Sequence, residues 1–306
     1  MKTQRFYSNG KLLLSGEYLI LDGALGLALP TSYGQGIEII PNSGNTLSWE
    51  SIDEARQTWF KAEFNVNNLA LDSYEGADSI AITLQEILQK AKTLNSAFLA
   101  SEKGYTVKTQ LNFPRNWGLG TSSTLINNIA LWADVDAYQL LFESFGGSGY
   151  DIACAKSDSA ITYRLKNGIP SSTPVKFDPP FKDQIFFVHL NKKQVSKDGI
   201  KEYKDANPVS SQTLDKITNI TKEMLHCDDL SAFNALVAEH ESILSEVLKK
   251  QTVQEALFKD FSGQTKSLGA WGGDFILAAG DSHTPDYFKR KGFETVIPYS
   301  LMIKKV

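Results

Sequence analysis

The sequence predicts two domains in which helices and strands are mixed throughout, and three observations carry that expectation. At 306 residues the chain exceeds the usual size of one compact domain. Strand-like and helix-like periodicities interleave on both sides of its middle. Between them lies "KNGIPSSTPVKFDPPFKD", rich in proline, serine and glycine, which places a boundary between Lys166 and Asp183. The expected domains are 1–170 and 171–306.

The elements follow in order. "KLLLSGEYLIL" and "LGLALPTS" read as strands separated by a turn at Asp22 and Gly23. In "ADSIAITLQEILQKAKTL", Ile80, Leu84, Ile87, Leu88 and Ala91 recur at helical spacing. "YTVKTQLNF" alternates Tyr105, Val107, Thr109, Leu111 and Phe113, a period-two strand stopped by Pro114. A helix is expected from the glycine-rich join at Gly118–Gly120 to about Trp132, and a shorter one after "DVD" to about Phe145. "GGSGYDIACAK" opens another short helix, and "SAITYRL" is a strand. Beyond the boundary come the strand "QIFFVHL" and two amphipathic helices, roughly Pro208 to His226 and Asp229 to Leu248. The second shows an apolar stripe of Leu230, Phe233, Leu236, Val237, His240 and Leu244, on which His240 reads as a packing residue and not a ligand. "KSLGAWGGDFILAAG" is a glycine-rich loop leading into a strand, and "TPDYFKRKGFETVIPYS" closes the chain as helix then strand.

Composition bounds the function. Hydrophobic content of 42% and charged content of 22% are those of an ordinary globular chain. A net charge of −4 excludes a protein that coats nucleic acid, while leaving room for a local basic pocket. Cys154 and Cys227 are the only cysteines, so no disulfide framework is expected and a reducing compartment fits. No signal-peptide pattern or membrane-length apolar run is present, which predicts a soluble cytoplasmic protein without a membrane partner. Monomer and homodimer both stay open.

Three glycine segments bear on chemistry. In "FPRNWGLGTSSTLINNIALW", Gly118, Gly120, Thr121, Ser122, Ser123 and Thr124 stand where a strand passes into a helix. The first helical turn offers unpaired N–H groups and the positive end of the dipole, and glycine lets the backbone close on an anion. Hydroxyls there can bind phosphate oxygens or a phosphate-bound Mg²⁺. The competing reading is a helix capped by its own Ser or Thr, and the segment alone supports both equally. It matches neither common nucleotide loop. In "GGSGYDIACA", Asp151 is a capping aspartate unless it has a partner, for which Lys11 in "NGKLLLSGEY" is the candidate. In "SLGAWGGDF", Gly269, Gly272 and Gly273 imply a turn or a close backbone approach.

Together and in this order, "SNGKLLLSGEYLILDGALGLAL", "PRNWGLGTSST" and "SLGAWGGDF" resemble the three signature motifs of the GHMP kinases, spread over the whole chain. "GKLLLSGEY", with Tyr18 where mevalonate kinases usually carry His, "GSGYDIACA" and "GAWGGD", with Asp274, are similar to the mevalonate kinase and phosphomevalonate kinase branch. "NKKQVSKDGI" is similar to the Lys-x-Ser segment after the domain junction of several such kinases. The resemblance implies an α+β, two-domain GHMP kinase fold, with an S5-domain-2-like N-terminal domain and a ferredoxin-like C-terminal domain. It further implies an ATP- and Mg²⁺-dependent kinase acting on a small acidic acceptor, mevalonate or phosphomevalonate. Homoserine or sugar kinases, diphosphomevalonate decarboxylases and non-catalytic binding proteins of the same fold are the alternatives.

Carried over by position, Gly118, Leu119, Gly120, Thr121, Ser122 and Ser123 would hold the nucleotide phosphates, and Ser122 would ligate Mg²⁺. Asp151 and Lys11 match the catalytic aspartate and lysine. Glu17, Tyr18, Lys193, Ser196, Gly269, Gly272 and Gly273 match positions at or behind the acceptor. Glu143 is a candidate for the glutamate metal ligand, against the reading of a solvent-facing helix residue. Lys192, Lys193, Lys197, Arg115 and Lys266 lie close enough to the motifs to supply cations for an acidic acceptor. The chain departs from the pattern at Asn9, where a proline is usual, at Ser123 and Thr124, where small apolar residues are usual, and at Trp271, whose indole would narrow a cleft.

Overall fold

A computed structural model describes residues 2–101, 103–192, 196–205 and 208–305, the side chains of Ser196 and Lys197 excepted. Internal contacts divide the chain into two compact units. One comprises Met1–Gly10, Tyr33–Arg115 and Leu119–Lys156, the other Lys11–Ser32, Asn116–Gly118 and Ser157–Val306. These are not two consecutive segments meeting at 170, because two long paired strands, β1 (Gln4–Ser15) and β2 (Gly26–Pro41), give residues to both units.

In the first unit, β3 (Thr46–Ile52), β4 (Thr58–Asn65), β5 (Leu71–Glu75) and β6 (Tyr105–Leu111) join the second half of β2 in the order β5-β4-β3-β6-β2. Ile37 of β2 faces Thr109 of β6 across an antiparallel pair, and Val107 of β6 faces Trp49 of β3 across a parallel one. β3 to β5 went unread in the sequence analysis, although Leu47 and Trp49, then Phe60, Ala62 and Phe64, alternate inward as half-buried strands require. Four helices complete the unit: α1 (Asp78–Leu94), α2 (Thr121–Ala133), α3 (Ala137–Ser144) and α4 (Tyr150–Ala155). Leu84 and Leu88 of α1, Ile126 and Ile129 of α2, Leu140 of α3 and Ile152 of α4 share one core with the strands.

The expected strand through "KLLLSGEYLIL" is cut short. β1 stops at Ser15, and Leu19–Asp22 is a single 3-10 turn. Gly16 turns the chain at φ +86°, where a Cβ would collide with Gly26 Cα at 2.9 Å. The apolar Leu19 and Ile20 are buried by that turn and not by strand pairing.

In the second unit, β7 (Ile161–Lys166) pairs with the first half of β2 and forms a hairpin with β8 (Ile169–Pro174). The expected boundary segment thus contains an exposed outer strand, Ile169–Pro174, where proline is tolerated because one row of N–H groups faces solvent. There follow β9 (Ile185–His189), α5 (Ser196–Asp205), α6 (Ser211–His226), α7 (Leu230–Leu248), α8 (Val253–Leu257), β10 (Gln264–Ser267), β11 (Phe275–Ala279), α9 (Thr284–Arg290), β12 (Val296–Pro298) and α10 (Tyr299–Met302). The strands form an antiparallel sheet in the order β10-β11-β9-β12. Val188, Ile276 and Ala278 pack there with Phe258, Phe261 and Phe288. Both cysteines are free thiols, and among the described residues no helix is long and apolar enough to cross a membrane.

Candidate active site

The glycine-rich join ends in a helix without a side-chain cap. Gly120, at φ +93°, is the residue before α2, and no side chain bonds the first-turn N–H groups. Two of the hydroxyls at this helix start are used elsewhere. Ser123 Oγ donates to Gly120 O at 2.9 Å, and Thr124 Oγ1 donates to Gln35 Oε1 and Thr121 O, both at 2.9 Å. Ser123 and Thr124 are buried, whereas Thr121 is half-buried and Ser122 exposed. Ser123, one of the residues expected on the phosphates, therefore turns its hydroxyl back to the chain.

A buried polar ladder fixes α2. Asn128 Nδ2 donates to Gln35 O at 2.9 Å, Asn127 Nδ2 donates to Ser8 Oγ at 2.9 Å, and Ser8 Oγ donates to Asn128 Oδ1 at 2.7 Å. Buried amides paired this way hold one helix rotation, since any other leaves them unsatisfied. The departure at Ser123 and Thr124 belongs to this anchoring. α4 packs against α2 and begins the same way, after Gly149 at φ +88° and without a side-chain cap. Asp151 is in its first turn, half-buried. Glu143 is exposed on α3, where its Oε1 accepts from Gln139 Nε2 at 3.1 Å on the same helix.

The second unit holds a small cleft lined by Lys11, Trp117, Gly118, Gly269, Ala270 and Asp274, among others. Lys11 Nζ donates to Gly118 O at 3.1 Å. Gly269, at φ +69°, leaves the cleft open toward that ammonium, since a Cβ there would stand 4.0 Å from Lys11 Nζ. Gly118, at φ +65°, faces Asp274, and a Cβ on it would run into the Asp274 carboxylate. Asp274 is itself left-handed, at φ +50°, a conformation that costs a residue with a side chain on the order of 1 kcal/mol or more and is kept only where surroundings enforce it. Its N–H donates to Lys192 O and its O accepts from Leu190 N–H, both at 2.8 Å. The segment 116–118 is pinned by His189 Nε2 at 3.2 Å from Asn116 O and by Trp117 edge-on to Phe275 at 5.4 Å.

Gly269, Gly272 and Gly273 lie in the 268–274 connection between β10 and β11. Tyr18, at φ +61°, accepts the Trp271 N–H on its hydroxyl at 2.9 Å and stacks on Tyr203 at 5.7 Å, so its polar end is already engaged. Trp271 does not narrow the cleft: its Nε1 donates to Gln251 O at 3.0 Å, its ring is buried, and it is absent from the cleft lining. Lys266 is no substrate cation either. It is fully buried, with Nζ 2.5 Å from Glu17 Oε1. Glu17 is likewise inside the protein, 1% exposed, and is absent from the cleft lining. His240 is the packing histidine expected, accepting the Gly16 N–H on Nε2 at 3.0 Å. Lys192 is exposed, and exposed Arg115 lies over the Trp59 ring at 3.6 Å in the first unit. Lys193 and the side chains of Ser196 and Lys197 lie outside the described residues. Sequence reasoning missed Asp274 as a cleft residue and Glu241, whose Oε1 lies 3.4 Å from Lys266 Nζ; aspartate straight after two glycines was the available signal for the first, and nothing local marked the second.

The sequence matches no protein-family profile and no curated protein. Solved structures do match. Mevalonate kinase of L. major, in complex with R-mevalonate, superposes with a TM-score of 0.66 at 17% identity, over 97% of this chain and 95% of that one. Streptococcus pneumoniae phosphomevalonate kinase, in complex with phosphomevalonate and AMPPNP, gives 0.66 at 15%, over 96% and 99%. This chain has the GHMP kinase fold. Lactococcus lactis galactokinase, complexed with galactose, shares that fold at a TM-score of 0.64 and 12% identity, over 99% and 94%. The likeness thus extends to proteins named for sugars as well as for mevalonate, and at these identities it establishes the two-domain architecture.

Proposed function

We propose that the protein is an ATP- and Mg²⁺-dependent small-molecule kinase that transfers the γ-phosphoryl group to a mevalonate-type acid, mevalonate or phosphomevalonate. The observation that carries this reading is the start of α2: a left-handed glycine, no side-chain cap, and neighbouring hydroxyls turned inward, so that the first-turn N–H groups are kept for a ligand. A helix tip of that kind favours phosphate through its N–H groups and its dipole. The same fold in a kinase complexed with AMPPNP supports it.

In this reading Gly118 to Ser122 hold the nucleotide phosphates and the Ser122 hydroxyl ligates Mg²⁺. Among the described residues no group of three His, Cys, Asp or Glu side chains could hold a metal ion. Mg²⁺ is usually held by one or two protein oxygens and by substrate phosphates while keeping several waters. Bound there, the ion would neutralise charge on the transferred group. Glu143, exposed and bonded to Gln139, serves that purpose less well than Ser122. The Lys11 ammonium neutralises phosphate charge. Asp151, at an uncapped helix start, orients the acceptor oxygen and takes its proton as the new P–O bond forms and the bond to the leaving ADP oxygen breaks. Because the transition state is loose, orientation and charge neutralisation contribute more than proton removal. Tyr18, Glu17, Gly269, Gly272, Gly273, Lys193 and Ser196 keep the acceptor-side roles that the resemblance implies.

The test is ADP formation by the purified chain against mevalonate, phosphomevalonate, homoserine, galactose and diphosphomevalonate, with carbon dioxide release followed for the last. Turnover on either of the first two supports the proposal. Turnover confined to homoserine or a sugar, or decarboxylation, replaces it with another chemistry of this fold, and nucleotide binding without turnover makes the protein a binding module.

A further inference from the structure

Four buried ionisable groups, Glu17, His240, Glu241 and Lys266, cluster in the second unit outside the cleft lining. Lys266 is the penultimate residue of β10, two positions before the 268–274 connection, and is fully buried. Its Nζ meets Glu17 Oε1 at 2.5 Å, donates to Ser267 O at 3.0 Å and lies 3.4 Å from Glu241 Oε1. Glu241 Oε2 accepts the Ser267 N–H at 3.1 Å. His240 Nε2 stands 3.3 Å from Glu17 Oε2 while accepting the Gly16 N–H, which makes it an acceptor and His240 neutral. Glu17 Oε2 and His240 Nδ1 are buried without a hydrogen-bond partner. Burial raises the Glu17 carboxyl, carries that of Glu241 to about 7, and holds His240 well below its ordinary value.

A staple for the fold would not be built this way. Replacing a buried ion pair by apolar residues of similar volume is often neutral or stabilising, and this group carries a surplus carboxylate and two orphaned atoms as well. Its geometry does something more specific. Three consecutive residues after β1 are each tied to a different partner: Gly16 to His240 on α7, Glu17 to Lys266 on β10, and Tyr18 to the Trp271 N–H. The strand that leads into this turn carries Lys11, and the connection that follows Lys266 carries Gly269 and Asp274, all in the cleft lining. One buried ammonium therefore joins two of the backbone segments that line the cleft.

We propose that Lys266 is a positioning residue for phosphoryl transfer, acting through Glu17 to lock the turn after β1 to the 268–274 connection and so to hold Lys11 and Asp274 in register. The inference rests on the kinase reading above. Misplacement of catalytic groups by about 1 Å can cost about 100-fold in rate, which a group remote from the chemistry can thereby control.

The experiment compares the full chain with Glu17→Gln/Lys266→Met/Glu241→Gln, which removes all three charges together and strands none, and with Glu17→Gln, which keeps an acceptor for Lys266. Cooperative melting establishes folding. Hydrogen exchange at 268–274, nucleotide affinity by direct binding, and kcat are then measured. The expected result for the triple variant is exchange at 268–274 faster by about tenfold or more, α7 still protected, nucleotide affinity nearly unchanged, and kcat lower by about tenfold or more. Glu17→Gln should move the same quantities in the same direction by less, and it decides the matter should the triple variant not fold. Unchanged exchange, or faster exchange with unchanged kcat, overturns the proposal. Faster exchange in a protein whose wild type phosphorylates none of the acceptors supports the tie while sinking the kinase reading, so the two fail separately.

Discussion

The starts of α2 and α7 show opposite solutions to one problem. Both helices expose first-turn N–H groups that need acceptors. At α7, Asp229 Oδ1 accepts from Ala232 N–H at 2.8 Å, and the end is finished internally. α3, α6 and α8 are finished in the same way by Asp136, Ser210 and Thr252, the last in a capping box with Glu255. α2 lies in a sequence with four consecutive hydroxyl residues, each a competent cap, yet its capping position is Gly120, and the hydroxyls of Ser123 and Thr124 bond carbonyls and Gln35. The difference teaches that hydroxyl content does not make a cap; the residue at the one non-helical position does. Where that residue is glycine, the donors stay available to something else.

The contrast is open to attack, beginning with the largest expected effect. Asp151→Asn, at the other glycine-led helix start, should lower kcat by roughly 10²–10⁴ with folding intact, because it removes the carboxylate charge that would orient the acceptor and keeps the side chain's shape. Near-normal turnover in steady-state assays would end the assignment of Asp151. Gly120→Ala should cost about tenfold or more in nucleotide affinity, since φ +93° is strained for any residue with a Cβ. Calorimetric titration with a non-hydrolysable ATP analogue checks this, and equal affinity would mean that the uncapped helix start is not where the phosphates go.

Smaller effects concern stability. The Glu241 carboxyl lies at about 7 in the folded chain against an ordinary 4.5, so folding favours its protonated form. The resulting stability is fully present below the ordinary value and is lost as pH rises through about 7. Glu241→Gln, which cannot ionise, should therefore flatten the fall in stability between pH 4.5 and 7 and be the more stable protein at pH 8, by on the order of 1–3 kcal/mol. Denaturant melts at pH 5 and pH 8 measure it, and identical slopes for both proteins would remove Glu241 from the account. Asp229→Ala should cost about 1 kcal/mol of stability and leave nucleotide affinity alone, as a purely structural cap must. A loss of affinity there would erase the distinction between the two helix starts.

What was legible in the sequence were features with a local cause. The 3.6-residue spacing of Leu84, Ile87, Leu88 and Ala91 places α1, the alternation of Val107, Thr109 and Leu111 places β6, and Gly120 with the apolar run after it places α2. The three glycine motifs pointed to the GHMP kinase fold because loops that bring backbone close to a ligand demand glycine at fixed intervals whatever the rest of the chain does. Tertiary structure decided what depends on partners far away in the chain. Lys266 looks like a surface cation until its neighbours Glu17 and Glu241 are known, 249 and 25 residues away. Trp271 looks like an obstruction until Gln251 draws its indole inward, and Ser123 like a phosphate ligand until its hydroxyl turns to Gly120 O. The reason is physical: periodicity and backbone freedom are properties of neighbouring residues, whereas burial, ionisation and the direction of a side chain are set by whatever the fold packs against it.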